Sequence, residues 1–268
     1  GGSTASRKGS VLVKPSSILL LPLALTFLAG LWACGPTPWQ KEMAESHLQL
    51  GIVQIQAEQY NNALKELMKA NDLNPDNARV HYFLGVAYHS KALRMQAIEE
   101  FEKAVALKPD YSDAYNFLGT IYLNDGKWDR AIAMFEKALS NILYETPAVA
   151  LYNMGWAYHR KGDYRVALLK YQEAKVREPN TILLPLIEKN MGRAAFELGE
   201  YPEALVHLKK AVELAPDLAE SYFWLGRCYV QTGRPQQAIA AFREAVKRSP
   251  ASEAGILAKE HLEALKAE

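Results

Sequence analysis

Cysteine is scarce in this chain: Cys34 and Cys228 are the only two in 268 residues. Two thiols support neither a disulfide framework nor a four-ligand zinc site without several histidines. The six histidines follow no HExxH or other ligand spacing, so no metal site is expected. An excess of one charge is missing too. Lys and Arg number 31 against 30 Asp and Glu, a formal net charge of +1, without the basic footprint of a nucleic-acid surface. There is no glycine-rich phosphate loop, no G-x-S-x-G elbow and no recognisable Cys–His pair. The expectation is a non-enzymatic protein with no cofactor and no small-molecule substrate. The one long apolar run, Ile18–Leu31, which carries no charge, is shorter than the roughly 20 apolar residues a spanning helix needs. With 49% hydrophobic and 23% charged residues, the rest of the chain reads as globular.

What is present is a repeat. Gly51, Gly85, Gly119, Gly155, Gly192 and Gly226 are separated by 34, 34, 36, 37 and 34 residues. Around Gly85 stand His81 four before, Leu84 just before, Tyr88 three after, Ala97 twelve after, Phe101 sixteen after, Ala104 nineteen after and Pro109 twenty-four after. Gly226 has the same frame in Tyr222, Leu225, Tyr229, Ala238, Phe242, Ala245 and Pro250. The physical reading is two antiparallel helices per repeat, with the glycine admitting the second helix, aromatics filling the layers and proline ending the hairpin. This frame resembles the tetratricopeptide repeat, which implies an all-α superhelical solenoid. Six copies are expected over residues 44–250, with departures at Leu143 to Pro147 and at Asn180 to Pro185. A capping helix is expected over 251–268, with Ile256, Leu257, Leu262 and Leu265 on one face.

The N-terminus has a different character. Arg7, Lys8 and Lys14 precede the apolar run, the order of a signal peptide. The run ends Leu31-Trp32-Ala33-Cys34-Gly35, which resembles the bacterial lipobox, with Trp32 departing from its usual small residue. The resemblance implies a removable leader over 1–33, lipidation of Cys34 and a short tether over 34–43. It also implies membrane attachment through the lipid at the periplasmic face of an outer membrane, since no acidic residue follows Cys34 directly. Several acyl chains hold a protein stably on a bilayer.

In the absence of a catalytic constellation, function is expected on the concave groove lined by the first helix of each repeat. The candidate lining is Leu48, Ile52, Ile55, Tyr82, Val86, Asn116, Tyr152, Trp156, Lys189, Arg193, Phe196, Phe223 and Arg227. Asn153 and Asn190 are added as candidates to hydrogen-bond a bound backbone. Such a groove suits an amphipathic helix or an extended segment with apolar anchors and some acidic character. His47, His81, His207 and His261 are read as structural, and Cys228 as a buried packing residue.

A lipobox followed by six repeats and a cap resembles the type IV pilus pilotins of the Tgl and PilF kind. That resemblance implies an outer-membrane lipoprotein that binds the pilus secretin and promotes its localisation and multimer assembly, in support of motility. The alternative is another periplasmic adaptor lipoprotein, scaffolding peptidoglycan hydrolases or outer-membrane protein assembly.

Overall fold

A computed structural model describes residues 1–4 and 35–267. The apolar run, the leader cleavage site and Cys34 lie outside the described residues. Among the described residues there are thirteen helices and no strand: α1 Pro38–Gln56, α2 Tyr60–Leu73, α3 Ala78–Ser90, α4 Arg94–Leu107, α5 Ser112–Asn124, α6 Trp128–Ser140, α7 Pro147–Lys161, α8 Tyr164–Arg177, α9 Leu184–Glu197, α10 Tyr201–Leu214, α11 Ala219–Gln231, α12 Pro235–Arg248 and α13 Glu253–Ala267. Consecutive helices pack as six hairpins, and each hairpin leans on the next.

The repeat glycine lies on the first helix of each hairpin and meets the residue sixteen positions later on the second. A methyl group at Gly119 would lie 2.5 Å from Phe135 Cε1, and one at Gly226 would lie 2.6 Å from Phe242 Cε1. Leu67, Phe101, Tyr171 and Leu208 fill the same place over Gly51, Gly85, Gly155 and Gly192. All six side chains are completely buried, and burial of one such side chain is worth about 1.5–3 kcal/mol. The alanines twelve and nineteen residues after the glycine, such as Ala97 and Ala104, are buried as well. Their small size brings the second helix against its neighbours.

The turn inside each hairpin needs one residue in the left-handed region, seven positions after the repeat glycine. Gly126, Gly162, Gly199 and Gly233 supply it with φ of 72°, 87°, 77° and 67°. In the first two repeats Glu58 and Ala92 take the same conformation, with φ of 58° and 57°, which costs an L-residue about 1–2 kcal/mol. Between hairpins, Pro75, Pro109, Pro179, Pro216 and Pro250 follow the end of the preceding helix closely, because proline cannot continue the ladder. The two spacing departures fall mainly in longer loops, residues 141–146 between α6 and α7 and residues 178–183 between α8 and α9, and start α7 and α9 one residue earlier relative to their glycines. They expose Ile142, Leu143 and Ile182 almost fully.

One boundary and one helix face differ from the sequence expectation. The first helix begins at Pro38, so residues 38–43 are helical and not tether. The cause is a capping box: Gln40 N–H donates to Thr37 Oγ1 at 3.2 Å, and Thr37 N–H donates to Gln40 Oε1 at 2.8 Å, with Pro38 at the first helical position. In α13, Ser252 Oγ accepts from Gly255 N–H at 3.1 Å and starts the helix. Leu257, Leu262 and Leu265 pack on the C-terminal core with Ala254 and Ala258. Ile256 does not share their face and is exposed, because it sits about 100° around the helix from Leu257.

Candidate functional site

The concave side is formed by the odd-numbered helices α1 to α11, and its two halves differ. In the N-terminal half packing consumes the apolar candidates. Leu48 is completely buried with Leu67 and Ala63, so it is a core residue and does not face the groove. Ile52 and Ile55 are half-buried against the same cluster. Tyr82 packs its ring 4.9 Å from both Phe83 and Tyr111, and Val86 joins it on the next cluster. Asn116 is half-buried, and its backbone carbonyl accepts from Thr120 Oγ1 at 2.9 Å.

In the C-terminal half the candidates come together around a cleft of about 650 Å³. Tyr152 and Trp156 of α7, Lys189, Asn190 and Arg193 of α9, and Phe223 of α11 line it. Ser252, Glu253 and Leu257 of the capping helix region wall its far end. Phe196, although on the candidate face, is buried beneath Arg227, whose guanidinium carbon lies 4.5 Å from its ring centre. Asn153 is half-buried, with Nδ2 3.5 Å from Thr120 Oγ1.

The cleft also contains residues that the sequence reading missed: Arg160, Glu220 and Trp224. Arg160 and Glu220 sit five after and six before their repeat glycines, outside the groove offsets, while Trp224 shares the offset of Asn153 and Asn190, where only hydrogen-bonding side chains are expected. All three matter because they join the cations to the aromatics. Arg160 lies 5.2 Å from the Trp128 ring centre and 5.9 Å from that of Trp156. Arg193 lies 5.2 Å from Trp156 and 4.9 Å from Trp224, and Arg227 lies 4.6 Å from Trp224. The result is an alternating stack of indole rings and guanidinium groups running through the third to sixth repeats. Each contact at this distance is worth about 0.5–2 kcal/mol, more where water is excluded.

Charge in the cleft is partly neutralised from within. Lys189 Nζ lies 2.7 Å from Glu220 Oε2, and Arg193 lies 3.6 Å from Glu220 Oε1. Among the described residues Arg160 and Arg227 have no carboxylate partner, but Asp217 and Glu253 also line the cleft, so cations and carboxylates stand side by side in its walls. Asn190 is almost fully buried and donates from Nδ2 to the Tyr152 hydroxyl at 3.1 Å. His159, stacked on Trp156, is held neutral: burial first, then Arg193, Arg160 and Lys189, push its pKa down to about 4. Cys228 is buried on α11, and burial pushes its thiol up to about 12, which leaves it unreactive at neutral pH.

Three histidines have partners that the sequence reading did not assign. His81 Nδ1 pairs with Glu100 at 2.6 Å and His47 Nδ1 with Glu66 at 2.7 Å. In the fifth repeat the pair is reversed, with His207 Nδ1 2.7 Å from Glu188. Each joins the position four before the repeat glycine to the position fifteen after it, inside one hairpin. Among the described residues no group of three His, Cys, Asp or Glu side chains is arranged to hold a metal ion. No described helix is long and apolar enough to cross a membrane.

Comparisons with known proteins agree with this geometry. Models of the tetratricopeptide repeat match residues 51–91, 78–111, 110–175 and 189–253. The CTR9 homologue of Arabidopsis thaliana is 30% identical over 109 residues, 39% of this chain and 10% of that protein. The human O-mannosyl-transferase TMTC2 is 30% identical over 100 residues, 37% of this chain and 12% of that protein. The matched segments thus span about a tenth of these relatives. Among solved structures, PilF of Pseudomonas aeruginosa superposes with a TM-score of 0.72 at 18% identity, covering 83% of this chain and 99% of its own. PilW, a type IV pilus biogenesis factor, superposes with a TM-score of 0.70 at 21% identity, covering 80% of this chain and 97% of its own. With hairpin geometry, glycine sockets and repeat matches in agreement, the chain is an all-α tetratricopeptide-repeat solenoid.

Proposed function

We propose that this protein is an outer-membrane lipoprotein of type IV pilus biogenesis that binds the pilus secretin and promotes its assembly, acting by binding and not by catalysis. The observation that carries the reading is the similarity to PilF and PilW over 97–99% of their chains and 80–83% of this one. The lipobox-like Leu31-Trp32-Ala33-Cys34-Gly35 supports it, with the lipid on Cys34 holding the solenoid at the membrane. In this reading the C-terminal cleft takes an extended segment of the secretin. Trp156 and Tyr152 provide apolar platforms, and Arg160 and Arg193 face its acidic residues. Holding secretin protomers on one surface raises their effective concentration and favours the multimer without new contacts between them.

Deletion of the protein should remove heat- and detergent-resistant secretin multimers from the outer membrane. Multimers at normal abundance in the deletion strain would overturn the reading. Cys34→Ser should abolish fatty-acid labelling and release the protein from membranes, and unchanged labelling would overturn the anchoring. A secretin pull-down unchanged by a Trp156→Ala and Arg160→Ala double variant would move binding away from the cleft.

A further inference from the structure

The second to sixth repeats each bury one strip of their first helix against the preceding repeat. The residue just before the repeat glycine is buried in every one: Leu84, Leu118, Met154, Met191 and Leu225. So is the residue two after it: Ala87, Ile121, Ala157, Ala194 and Cys228. On α1 the same two positions are Leu50 and Val53, which are 46% and 58% exposed. Among the described residues nothing covers this strip, so the first repeat presents the face by which this fold joins one repeat to the next. The longer α1 extends this strip through Ser46 and the half-buried Met43 to Trp39, which is 64% exposed. Trp39, Met43, Ser46, Leu50 and Val53 recur at intervals of four and three residues, the spacing of a coiled-coil seam.

We propose that this face is a self-association surface, with the α1 helices of two copies packed antiparallel about a two-fold axis at Ser46. The strip is self-complementary about that point. Trp39 meets Val53 of the second copy, Met43 meets Leu50, and the small Ser46 lets the two backbones approach. Isologous pairing of this kind closes at two subunits. The flanking positions are Gln40, His47 and Gln54 on one side and Glu42, Gln49 and Gln56 on the other. Antiparallel packing sets Glu42 beside Gln49 of the second copy, so no like charges oppose each other. Other occupants fit less well. Stacking on the far end of another copy would bring the strip against Lys259, Glu260 and Glu263, all exposed on the outer side of α13. An anionic lipid surface would find no Lys or Arg among the flanking positions.

The test is thiol cross-linking of the full chain in detergent, with Cys34→Ser and Ser46→Cys, Cys228 being buried. A bis-maleimide should yield covalent dimers at protein concentrations of about 1–100 μM, the range for a single helix-pair interface. Leu50→Glu should lower that yield at least tenfold while helix content and melting stay at the parent's values. Glu260→Cys, exposed on the outer side of α13, should yield none. No dimer from Ser46→Cys, or an equal yield with Leu50→Glu, would overturn the proposal. Mixed cross-links between Ser46→Cys and Glu260→Cys chains would replace it with head-to-tail stacking. Flotation with phosphatidylethanolamine–phosphatidylglycerol vesicles that Leu50→Glu abolishes, without cross-linked dimer, would assign the face to lipid. Because Cys34 is replaced throughout, the result is independent of secretin binding and of membrane anchoring.

Discussion

The guanidinium carbon of Arg193 lies 4.9 Å from the centre of the Trp224 ring, a contact between α9 and α11 that crosses from one repeat to the next. Trp156 flanks the same cation from the preceding repeat. A double-mutant cycle of Arg193→Met and Trp224→Leu should therefore give a coupling energy of about 0.5–2 kcal/mol in equilibrium unfolding. Additive single effects would show that the stack is geometry without energy.

The socket between Gly119 and Phe135 gives a second expectation. Gly119→Ala drives a methyl group into the ring and should destabilise by about 1–3 kcal/mol. Its cost should shrink in a Phe135→Ala background, where the ring atoms that the methyl group meets are gone; leucine would not serve, because Leu208 would stand just as close to a methyl group at Gly192. Chemical denaturation of the two single variants and the double variant decides it.

Ala92 holds a left-handed conformation that four later repeats give to glycine. Ala92→Gly should stabilise the chain by about 0.5–1 kcal/mol, the relieved strain outweighing the added unfolded-state freedom. The same change at Ala97, in the interior of α4, should be destabilising by at least about 1 kcal/mol. Opposite signs at two alanines five residues apart are read directly from melting curves.

Two histidines should impose opposite pH dependences. The hydrogen bond to Glu100 raises His81 above its ordinary 6.5 despite burial. Its contribution is thus complete below pH 6.5 and lost as pH rises through the raised value. His159 is depressed to about 4, so its contribution is complete above pH 6.5 and lost as pH falls towards 4. His81→Gln should flatten the alkaline decline of stability, and His159→Phe the acid one. Urea midpoints from pH 4 to 9 separate the two.

The repeat was legible because its signals are local. A glycine and its partner sixteen residues on belong to one hairpin, so spacing alone shows their contact. Leu48 was misplaced because its offset, three before the glycine, lies at the border of groove and core: it is half-buried at Tyr152, 6% exposed at Phe223 and completely buried at Leu48. The His–Glu pairs could have been found by comparing the positions four before and fifteen after each glycine, where opposite types recur three times. The early start of α1 was written in Thr37-Pro38 and Gln40, a capping signature outside the repeat frame. The cleft was less accessible to sequence, because its far wall comes from α13, which carries no repeat signature to place it.

The sixteen-residue sockets also bear on how the chain acquires its shape. Every large contact that closes a hairpin joins residues near in sequence, so loop-closure entropy is small at each step and contact order is low. Folding can nucleate at any hairpin and spread to its neighbours. Amide hydrogen exchange should then show a gradient, with hairpins at an uncovered end opening before those in the middle. A lesion such as Gly119→Ala would divide that gradient into two cooperative blocks, on either side of the damaged hairpin.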